Sequence, residues 1–270
     1  MDFPRCGRPF RRGPAVNDDG DARTARETAC LPRRAKAATV NPLPAGSPWS
    51  LPNAVIFDCD GVLVDSEVLS CGAWLPVLAR RGVRAKLSDI QAFIGKSDRA
   101  VLAHFEEQEG RPLGSETIAE REREYFHSAA PALASFPGTR AALEELRRRG
   151  MAMAVASSGS PKKIDFNLRH AGLDDLLPIR CSTLEVAHGK PAPDVFLLAA
   201  ARLGAQPPRT IVVEDSLPGL EAARQAGMLG IGFCSSHSGP ELVEAGAVAL
   251  FDDFGDLLQI LESLLRAHAG

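Results

Sequence analysis

Short and continuously apolar runs recur along the chain from residue 52 onward. They cover Ala54 to Phe57, Met151 to Ala156, Thr210 to Val213 and Leu229 to Phe233. The apolar residues in these runs are consecutive and do not alternate with polar ones. This pattern predicts strands that are buried on both faces of a parallel sheet.

Helical patterns lie between these runs. Apolar residues spaced by three or four positions, with Pro, Ser or Asp near the start and Gly near the end, predict helices over residues 140–150, 161–171, 193–203 and 216–226. Buried strands that alternate with helices indicate an α/β fold with a doubly wound, Rossmann-like parallel sheet.

Residues 66–136 break the alternation. They contain no convincing strand, and amphipathic patterns predict helices over about 67–81, 88–94, 98–109 and 115–130. We therefore expect an all-helical cap domain at 66–136, inserted into an α/β core made of residues 51–65 and 137–270.

Residues 1–50 differ from the rest of the chain. They are rich in Arg, Pro, Gly and Ala and show neither helical nor strand periodicity. Such a segment cannot bury enough surface to offset its ordering entropy, so we expect a disordered N-terminal extension. No apolar stretch of signal-peptide type follows the basic residues, and Asp18 and Asp19 argue against a transit peptide.

Composition narrows the class of protein. The chain is 45% hydrophobic and 24% charged, with a formal net charge of -3, which is typical of a soluble globular protein without a nucleic-acid partner. The basic N-terminal extension also lacks interleaved aromatic residues. No run of about 18 apolar residues exists, so no membrane span is expected. The six cysteines form no C-x-x-C pair, which favours free thiols in a reducing compartment and predicts a cytoplasmic protein. We also expect the protein to be either a monomer or a weak homodimer.

Polar side chains directly follow three of the apolar runs. Asp58 and Asp60 come after the first, Ser157 and Ser158 after the second, and Glu214 and Asp215 after the third; Lys190 precedes the third run. Ligands bind beyond the carboxyl ends of strands in open parallel sheets. Carboxylates, hydroxyls and a lysine at one edge form a set that can hold Mg²⁺ against a phosphate.

Each of these signals has a simpler structural interpretation. Asp58 and Asp60 point the same way on an extended backbone, which suits a nucleophile with a proton-transfer partner, but they would equally suit the cap of a turn. Ser157 could contribute to an anion site or to an ordinary helix start. Lys190 could clamp a phosphate or lie on the solvated surface.

The four elements together resemble the haloacid dehalogenase-like hydrolase superfamily. Its first motif, D-x-D-G-x-L-x-D-S after an apolar strand, is matched from Asp58 to Ser66. Its second, a strand ending in Ser or Thr, is matched at Ser157, and its third, K-P-x-P-[DE], from Lys190. Its fourth, an apolar strand followed by [ED]-D-S, is matched from Glu214. The helical block also resembles the family's C1 cap.

The resemblance implies a mechanism and a set of roles. Asp58 would attack phosphorus and form an aspartyl-phosphate, and Asp60 would act as general acid and base. Ser157, Ser158 and Lys190 would bind the phosphate. Mg²⁺ would be held by Asp58, Asp60 through its backbone carbonyl, Glu214 and Asp215. The expected substrate is a small phosphorylated metabolite, such as a sugar phosphate.

Two alternatives remain open at this stage. A β-phosphoglucomutase-like enzyme would carry a cap histidine in the helix after the first motif, but residues 66–74 contain none, and Ser70 stands about where it would be expected. The second alternative is a non-catalytic binding protein on the same scaffold.

Substrate choice is expected in the cap, where Lys96 and Arg99 in a glycine-broken loop are the candidate specificity residues.

Overall fold

The strands of the computed structural model, which describes residues 39–40, 52–94 and 97–267, form one sheet of seven members. They are β1 (Thr39–Val40), β2 (Ala54–Phe57), β3 (Ala152–Ser157), β4 (Ile179–Ser182), β5 (Thr210–Glu214), β6 (Leu229–Phe233) and β7 (Ala249–Phe251). Their order is β1-β7-β6-β5-β2-β3-β4. Strands β2 to β7 pair in parallel, and β1 pairs antiparallel with β7. The doubly wound parallel sheet is confirmed.

Eleven α-helices of the described residues connect or flank these strands. They are α1 (Glu67–Gly72), α2 (Trp74–Arg80), α3 (Leu87–Gln91), α4 (Asp98–Glu109), α5 (Thr117–Ala129), α6 (Thr139–Arg148), α7 (Pro161–His170), α8 (Asp194–Leu203), α9 (Leu217–Gln225), α10 (Gly239–Glu244) and α11 (Phe254–Ala267). None of them is both long and apolar enough to cross a membrane.

The side chains of the central strand reach two apolar clusters. Val55 and Phe57 join a large cluster that includes α6 and α11, whereas Ile56 joins a second cluster with α8 and α9. Every residue of β2 and β5 is buried. Burial on both faces is the physical reason that their sequences are apolar without alternation.

Helices α1 to α5 lie between β2 and β3 and form the segment that we call the cap, residues 66–136. The cap has its own apolar cluster around Trp74, Leu78, Ile90 and Phe105. Its treatment as a separate domain stays a prediction, as does the disordered extension over 1–50. Apart from residues 39–40, which form β1, that extension lies outside the described residues.

The expectation of one helix over 67–81 is wrong in one respect, because α1 ends at Gly72 and α2 begins at Trp74. Pro76 explains the break. Its ring nitrogen cannot donate to the carbonyl of Gly72, four residues earlier, and the ring would clash with that carbonyl in a continuous helix. The chain therefore turns at Ala73.

Candidate active site

Asp58 stands at the carboxyl end of the central strand β2. Its backbone N–H donates to the carbonyl of Val213 at 3.0 Å, so the sheet ladder fixes its position beside β5. The residue is 7% exposed. Gly61 then turns the chain with a φ of 81°, a backbone conformation that favours glycine.

Lys190 connects the ends of three neighbouring strands. Its Nζ donates to the carboxylate of Asp58, to Glu214 Oε1 at 2.6 Å and to the carbonyl of Ala156 at 3.1 Å. The side chain is 5% exposed, and its ammonium lies 5.0 Å from the centre of the Phe196 ring. The lysine is therefore a buried part of the site, and the surface interpretation does not apply.

The carboxylates around Lys190 strongly influence one another. Burial raises the pKa of Asp58 to about 8, against the lowering effect of Lys190 and with a further increase from Glu214. Burial also raises the pKa of Asp215 well above its ordinary value, and Glu214 and Asp58 raise it further. Burial lowers the pKa of Lys190, but Asp58 and Glu214 outweigh it, so the net shift is upward.

Glu214 is held mainly by the protein itself. Its Oε2 accepts hydrogen bonds from the backbone N–H of Asp215, and from the backbone N–H and hydroxyl of Ser216, each at 2.9 Å. Its Oε1 accepts from Lys190. With both oxygens engaged, the observed role of Glu214 is to position Lys190 and the loop after β5; its role as a metal ligand stays a prediction.

Asp215 lies against the first motif. Its Oδ2 accepts from Ser235 Oγ at 3.1 Å and from the hydroxyl of Ser236, both of which follow β6. A β carbon added at Gly61 would lie 2.2 Å from Asp215 Oδ2. This close approach explains the glycine and brings Asp215 next to the Asp60–Gly61 backbone. The serines were not predicted from the sequence.

The buried donor set fits a divalent cation. Asp58, Glu214 and Asp215 supply three buried carboxylates against the single ammonium of Lys190, and uncompensated buried charge is costly. No group of three carboxylate, imidazole or thiol side chains converges as a ready-made metal cluster within the described residues. Mg²⁺ does not need one, because it is commonly bound by one or two carboxylates, waters and substrate oxygens.

Asp60 is held by three donors on a single oxygen. Its Oδ1 accepts from Ser66 Oγ at 2.5 Å, from Asn167 Nδ2 at 2.9 Å and from Lys163 Nζ at 3.0 Å. Burial raises the pKa of Asp60, but Lys163 and Ser66 outweigh that effect and the pKa is lowered overall. Lys163 and Asn167, both on α7, were missed in the sequence.

Ser157 lies beside Asp60, whereas Ser158 points outward. The Ser157 hydroxyl is buried and accepts from the backbone N–H of Gly159 at 3.0 Å. A β carbon added at Gly159 would lie 3.4 Å from Ser157 Oγ and 3.6 Å from Asp60 Oδ2, so the three groups share one small space. Ser158 is exposed, and its carbonyl accepts from Thr183.

Of the two predicted cap residues, the structure describes Arg99 alone. Lys96 lies outside the described residues. Arg99 is exposed on α4, and no hydrogen bond or ion pair of the described residues joins it to Asp58 or Asp60. Besides Ser66, the cap residues that approach include Ser70, whose Oγ lies 3.3 Å from Lys163 Nζ, and Arg121, which donates to the Ser70 carbonyl.

Comparison with known proteins now identifies the family. The model of the haloacid dehalogenase-like hydrolases matches residues 52–227, which include all four motifs. The chain belongs to this family. The family match and its phosphatase relatives make it a phosphohydrolase.

The relatives include named phosphatases. A phosphorylated carbohydrates phosphatase of Thermotoga maritima is 31% identical over 78% of this chain and 99% of its own length. Protein SUPPRESSOR OF QUENCHING 1 of Arabidopsis thaliana is 33% identical over 82% of this chain, which spans only 21% of that protein. The crystal structure of CbbY from Rhodobacter sphaeroides in complex with phosphate has a TM-score of 0.67 and 28% identity, covering 78% of this chain and 100% of that one.

Proposed function

We propose that the protein is a Mg²⁺-dependent phosphatase that hydrolyses a small phosphorylated carbohydrate or a similar phosphomonoester through an aspartyl-phosphate. The observation that carries this proposal is the buried Lys190 ammonium, which bonds both Asp58 and Glu214. Through these contacts Asp58, the Lys190 cation and the acidic loop after β5 meet at one point, which supports the proposal. The Thermotoga maritima relative acts, by its name, on phosphorylated carbohydrates.

In the first half-reaction, a carboxylate oxygen of Asp58 attacks phosphorus in line with the leaving oxygen. The bond to that oxygen breaks, and Asp60 gives it a proton. Because Ser66, Asn167 and Lys163 all bind Oδ1, they hold the carboxyl group in one orientation, with Oδ2 towards Gly159 and Ser157. We assign the proton transfer to Oδ2.

In the second half-reaction, Asp60 accepts a proton from water. The resulting hydroxide attacks the phosphorus of the aspartyl-phosphate, which releases phosphate and restores the Asp58 carboxylate. Ser157 and Lys190 bind the phosphoryl oxygens, on which negative charge accumulates in the transition state.

Asp58, Asp215 and the Asp60 carbonyl would hold the metal ion. Bound there, Mg²⁺ would offset the repulsion between the anionic nucleophile and the dianionic phosphate. The excess of buried carboxylates over ammonium groups at this point supports the assignment.

Water is the proposed final acceptor of the phosphoryl group. A mutase of the β-phosphoglucomutase kind would carry a histidine near residue 70, and Ser70 stands there, bonded to Lys163 and to Arg121. We also infer a cytoplasmic protein, supported by the free thiols of the four cysteines that the structure describes: Cys59, Cys71, Cys181 and Cys234.

The proposal is tested by phosphate release from a panel of phosphomonoesters, with and without Mg²⁺. We expect Asp58→Asn to lower turnover by at least about a thousandfold, because the residue that forms the covalent bond is lost. Full activity in Asp58→Asn would contradict the nucleophile, and full activity after EDTA treatment would contradict the metal. Interconversion of a sugar phosphate faster than phosphate release would show a mutase instead.

A further inference from the structure

The β6 loop, residues 234–238, contacts the acidic loop that follows β5. Strands β5 and β6 pair in parallel, so their carboxyl ends lie side by side at the edge that holds the site. Three consecutive side chains of the β6 loop contact Asp215, namely Ser235, Ser236 and His237. None of the four sequence motifs includes them, and the proposed reaction steps use none of them.

The two serines approach a single oxygen of Asp215. Ser236 donates its hydroxyl hydrogen to Oδ2, and Ser235 Oγ lies 3.1 Å from the same atom. No hydrogen bond of the described residues reaches Oδ1. The carboxylate therefore has one oxygen that the β6 loop holds and a second that no donor from the described part of the chain occupies.

Ser235 also contacts the turn of the first motif. Its Oγ lies 2.5 Å from the carbonyl oxygen of Gly61 as well as 3.1 Å from Asp215 Oδ2. A hydroxyl has one hydrogen, so these two acceptors share it, and Ser236 is the steadier donor to Asp215. Because Gly61 follows Asp60, whose carbonyl is a proposed metal ligand, Ser235 joins both parts of the proposed metal site.

His237 fixes the main chain of Asp215. Its Nδ1 lies 2.9 Å from the Asp215 carbonyl oxygen. Since a carbonyl oxygen can only accept, Nδ1 carries the hydrogen of this bond. The β6 loop thus holds both the backbone and the carboxylate of Asp215.

Asp215 needs such support because it is buried together with the carboxylates of Asp58 and Glu214. A buried charge is costly unless hydrogen-bond donors or a cation compensate it. Mg²⁺ demands near-ideal geometry, and the hydrogen bonds made to a ligating carboxylate orient that carboxylate for the metal. The two hydroxyls meet both needs, because they hold one oxygen and leave the other for an ion.

We propose that Ser235 and Ser236 are positioning residues of the Mg²⁺ site, which hold Oδ2 of Asp215 and leave Oδ1 as the oxygen that binds the ion. Ser236 has the larger effect, because Ser235 shares its hydrogen with Gly61. This inference rests on the proposed function, since the ion is the one that the proposed reaction requires. It adds the β6 loop to a site that the sequence motifs build from four other segments.

Binding of Mn²⁺ alone, without substrate, tests the proposal. Mn²⁺ takes the same oxygen ligands as Mg²⁺, and its electron paramagnetic resonance signal measures the free ion. We expect Ser236→Ala to raise the Mn²⁺ dissociation constant about tenfold or more, the usual effect of losing a hydrogen bond to a metal ligand. Ser235→Ala should raise it by less, about threefold. Unchanged dissociation constants in both variants would overturn the proposal.

Two further variants separate the hydrogen bond from a general loosening of the loop. Ser236→Thr keeps the hydroxyl and should bind Mn²⁺ within about threefold of the unaltered protein. Ser238→Ala removes a hydroxyl from the same loop, but one that donates to Glu241 at 2.5 Å, and should leave Mn²⁺ binding unchanged. Circular dichroism checks that each variant is folded. Equal weakening by Ser238→Ala and Ser236→Ala would overturn the proposal.

The Mg²⁺ dependence of p-nitrophenyl phosphate hydrolysis gives a second measurement. Ser236→Ala should raise the Mg²⁺ concentration needed for half the maximal rate about tenfold. At saturating Mg²⁺ its kcat should stay within about threefold of the unaltered protein, because the hydroxyl holds a ligand and does not touch the substrate. A lowered kcat with an unchanged Mg²⁺ requirement would contradict a role in metal binding.

Failure of this inference and failure of the proposed function are distinguishable. Mn²⁺ binding that depends on Asp215 and Ser236, without hydrolysis of any phosphomonoester, would support the positioning role and overturn the phosphatase. Asp58-dependent hydrolysis, with Mn²⁺ bound equally well by both serine-to-alanine variants, would overturn the positioning role alone. No binding of Mn²⁺ to the unaltered protein, with hydrolysis retained in EDTA, would overturn the metal site and the positioning role together.

Discussion

At the scale of single residues, Lys190 determines how the acidic groups of the site coexist. Its ammonium is shared by the carboxylates of Asp58 and Glu214, which are both buried and form no ion pair with another cation of the described residues. Breaking a buried ion pair by removing one partner is far more damaging than losing a surface pair, because an uncompensated charge stays behind.

We therefore expect Lys190→Ala to lower the free energy of unfolding by about 3–5 kcal/mol in the absence of divalent cations. Urea titration in EDTA measures this change. The matched control is Lys162→Ala, at an exposed position on α7, where a change within about 0.5 kcal/mol is expected. Equal stability losses in the two variants would contradict a structural role for the Lys190 charge.

Gly219, on α9, leaves the space that the Glu214 carboxylate occupies. A β carbon at this position would lie 1.9 Å from Glu214 Oε1, so Gly219→Ala must displace the carboxylate that positions Lys190. We expect a loss of about 1–3 kcal/mol in stability, from overpacking, together with lowered activity.

The control for Gly219 is another helical glycine with free space around it. A β carbon at Gly72 meets nothing within 4 Å, and Gly72→Ala should stabilise the protein by up to about 1 kcal/mol, the difference in helix propensity. Thermal unfolding of both variants gives the comparison. A stabilised Gly219→Ala variant would show that the Glu214 contact has no energetic weight.

At the scale of elements, α7 joins the cap to the catalytic loop. Lys163 and Asn167 are four residues apart, so they share one face of the helix, and both donate to Asp60. On the same face, Asn167 Oδ1 accepts from the hydroxyl of Tyr125 on α5 at 2.8 Å. One helix thus orients Asp60, the proposed general acid, and contacts the cap.

Tyr125→Phe tests this connection, because it leaves the buried Asn167 oxygen without its donor. We expect the free energy of unfolding to fall by about 1–3 kcal/mol, as measured by urea denaturation. Ser128→Ala removes an exposed hydroxyl from the same helix, one that bonds only the Glu124 carbonyl, and should change stability by less than about 0.5 kcal/mol. A neutral Tyr125→Phe variant would argue against the bond between α5 and α7.

The sequence predicted most elements because periodicity and burial agree in them. The strands at β2, β3, β5 and β6 are buried, and their continuous apolar runs show it. Strand β4 was missed because Arg180 and Ser182 interrupt its apolar character, and β7 because it has only three residues.

The site residues likewise fall into those that the sequence pattern predicts and those that it does not. Asp58, Asp60, Glu214 and Asp215 were found because each lies at or just after the end of a strand, and strand ends meet at one edge of a parallel sheet. Lys163, Asn167 and Arg121 sit on helices that look ordinary in sequence. Their contacts join residues that are 51 to 107 positions apart, which no local pattern reports.

At the scale of the whole molecule, the sheet has two different edges. Strand β4 is the edge strand on one side. On the other side the edge strand is β1, which pairs antiparallel with β7. An unpaired strand edge presents free N–H and C=O groups and promotes association between chains. Residues 39–40, which lie before the first motif, therefore shield β7.

A variant beginning at Pro52 lacks β1 and should aggregate at a lower temperature than one beginning at Arg34, which keeps it. Light scattering during heating measures this difference. Activity should be equal in the two variants, because β7, β6 and β5 separate β1 from Asp58. Identical aggregation would show that the short strand gives no protection.

The hydrogen bonds from Ser235 and Ser236 to Asp215 bear on how far along the chain an active enzyme must extend. The family match stops at residue 227, before β6 starts, yet Ser235 and Ser236 after β6 are the side chains that hold the Asp215 carboxylate. We therefore expect an active fragment to need the chain at least as far as Ser236, and a fragment that ends at residue 227 to lose Mg²⁺-dependent phosphate release.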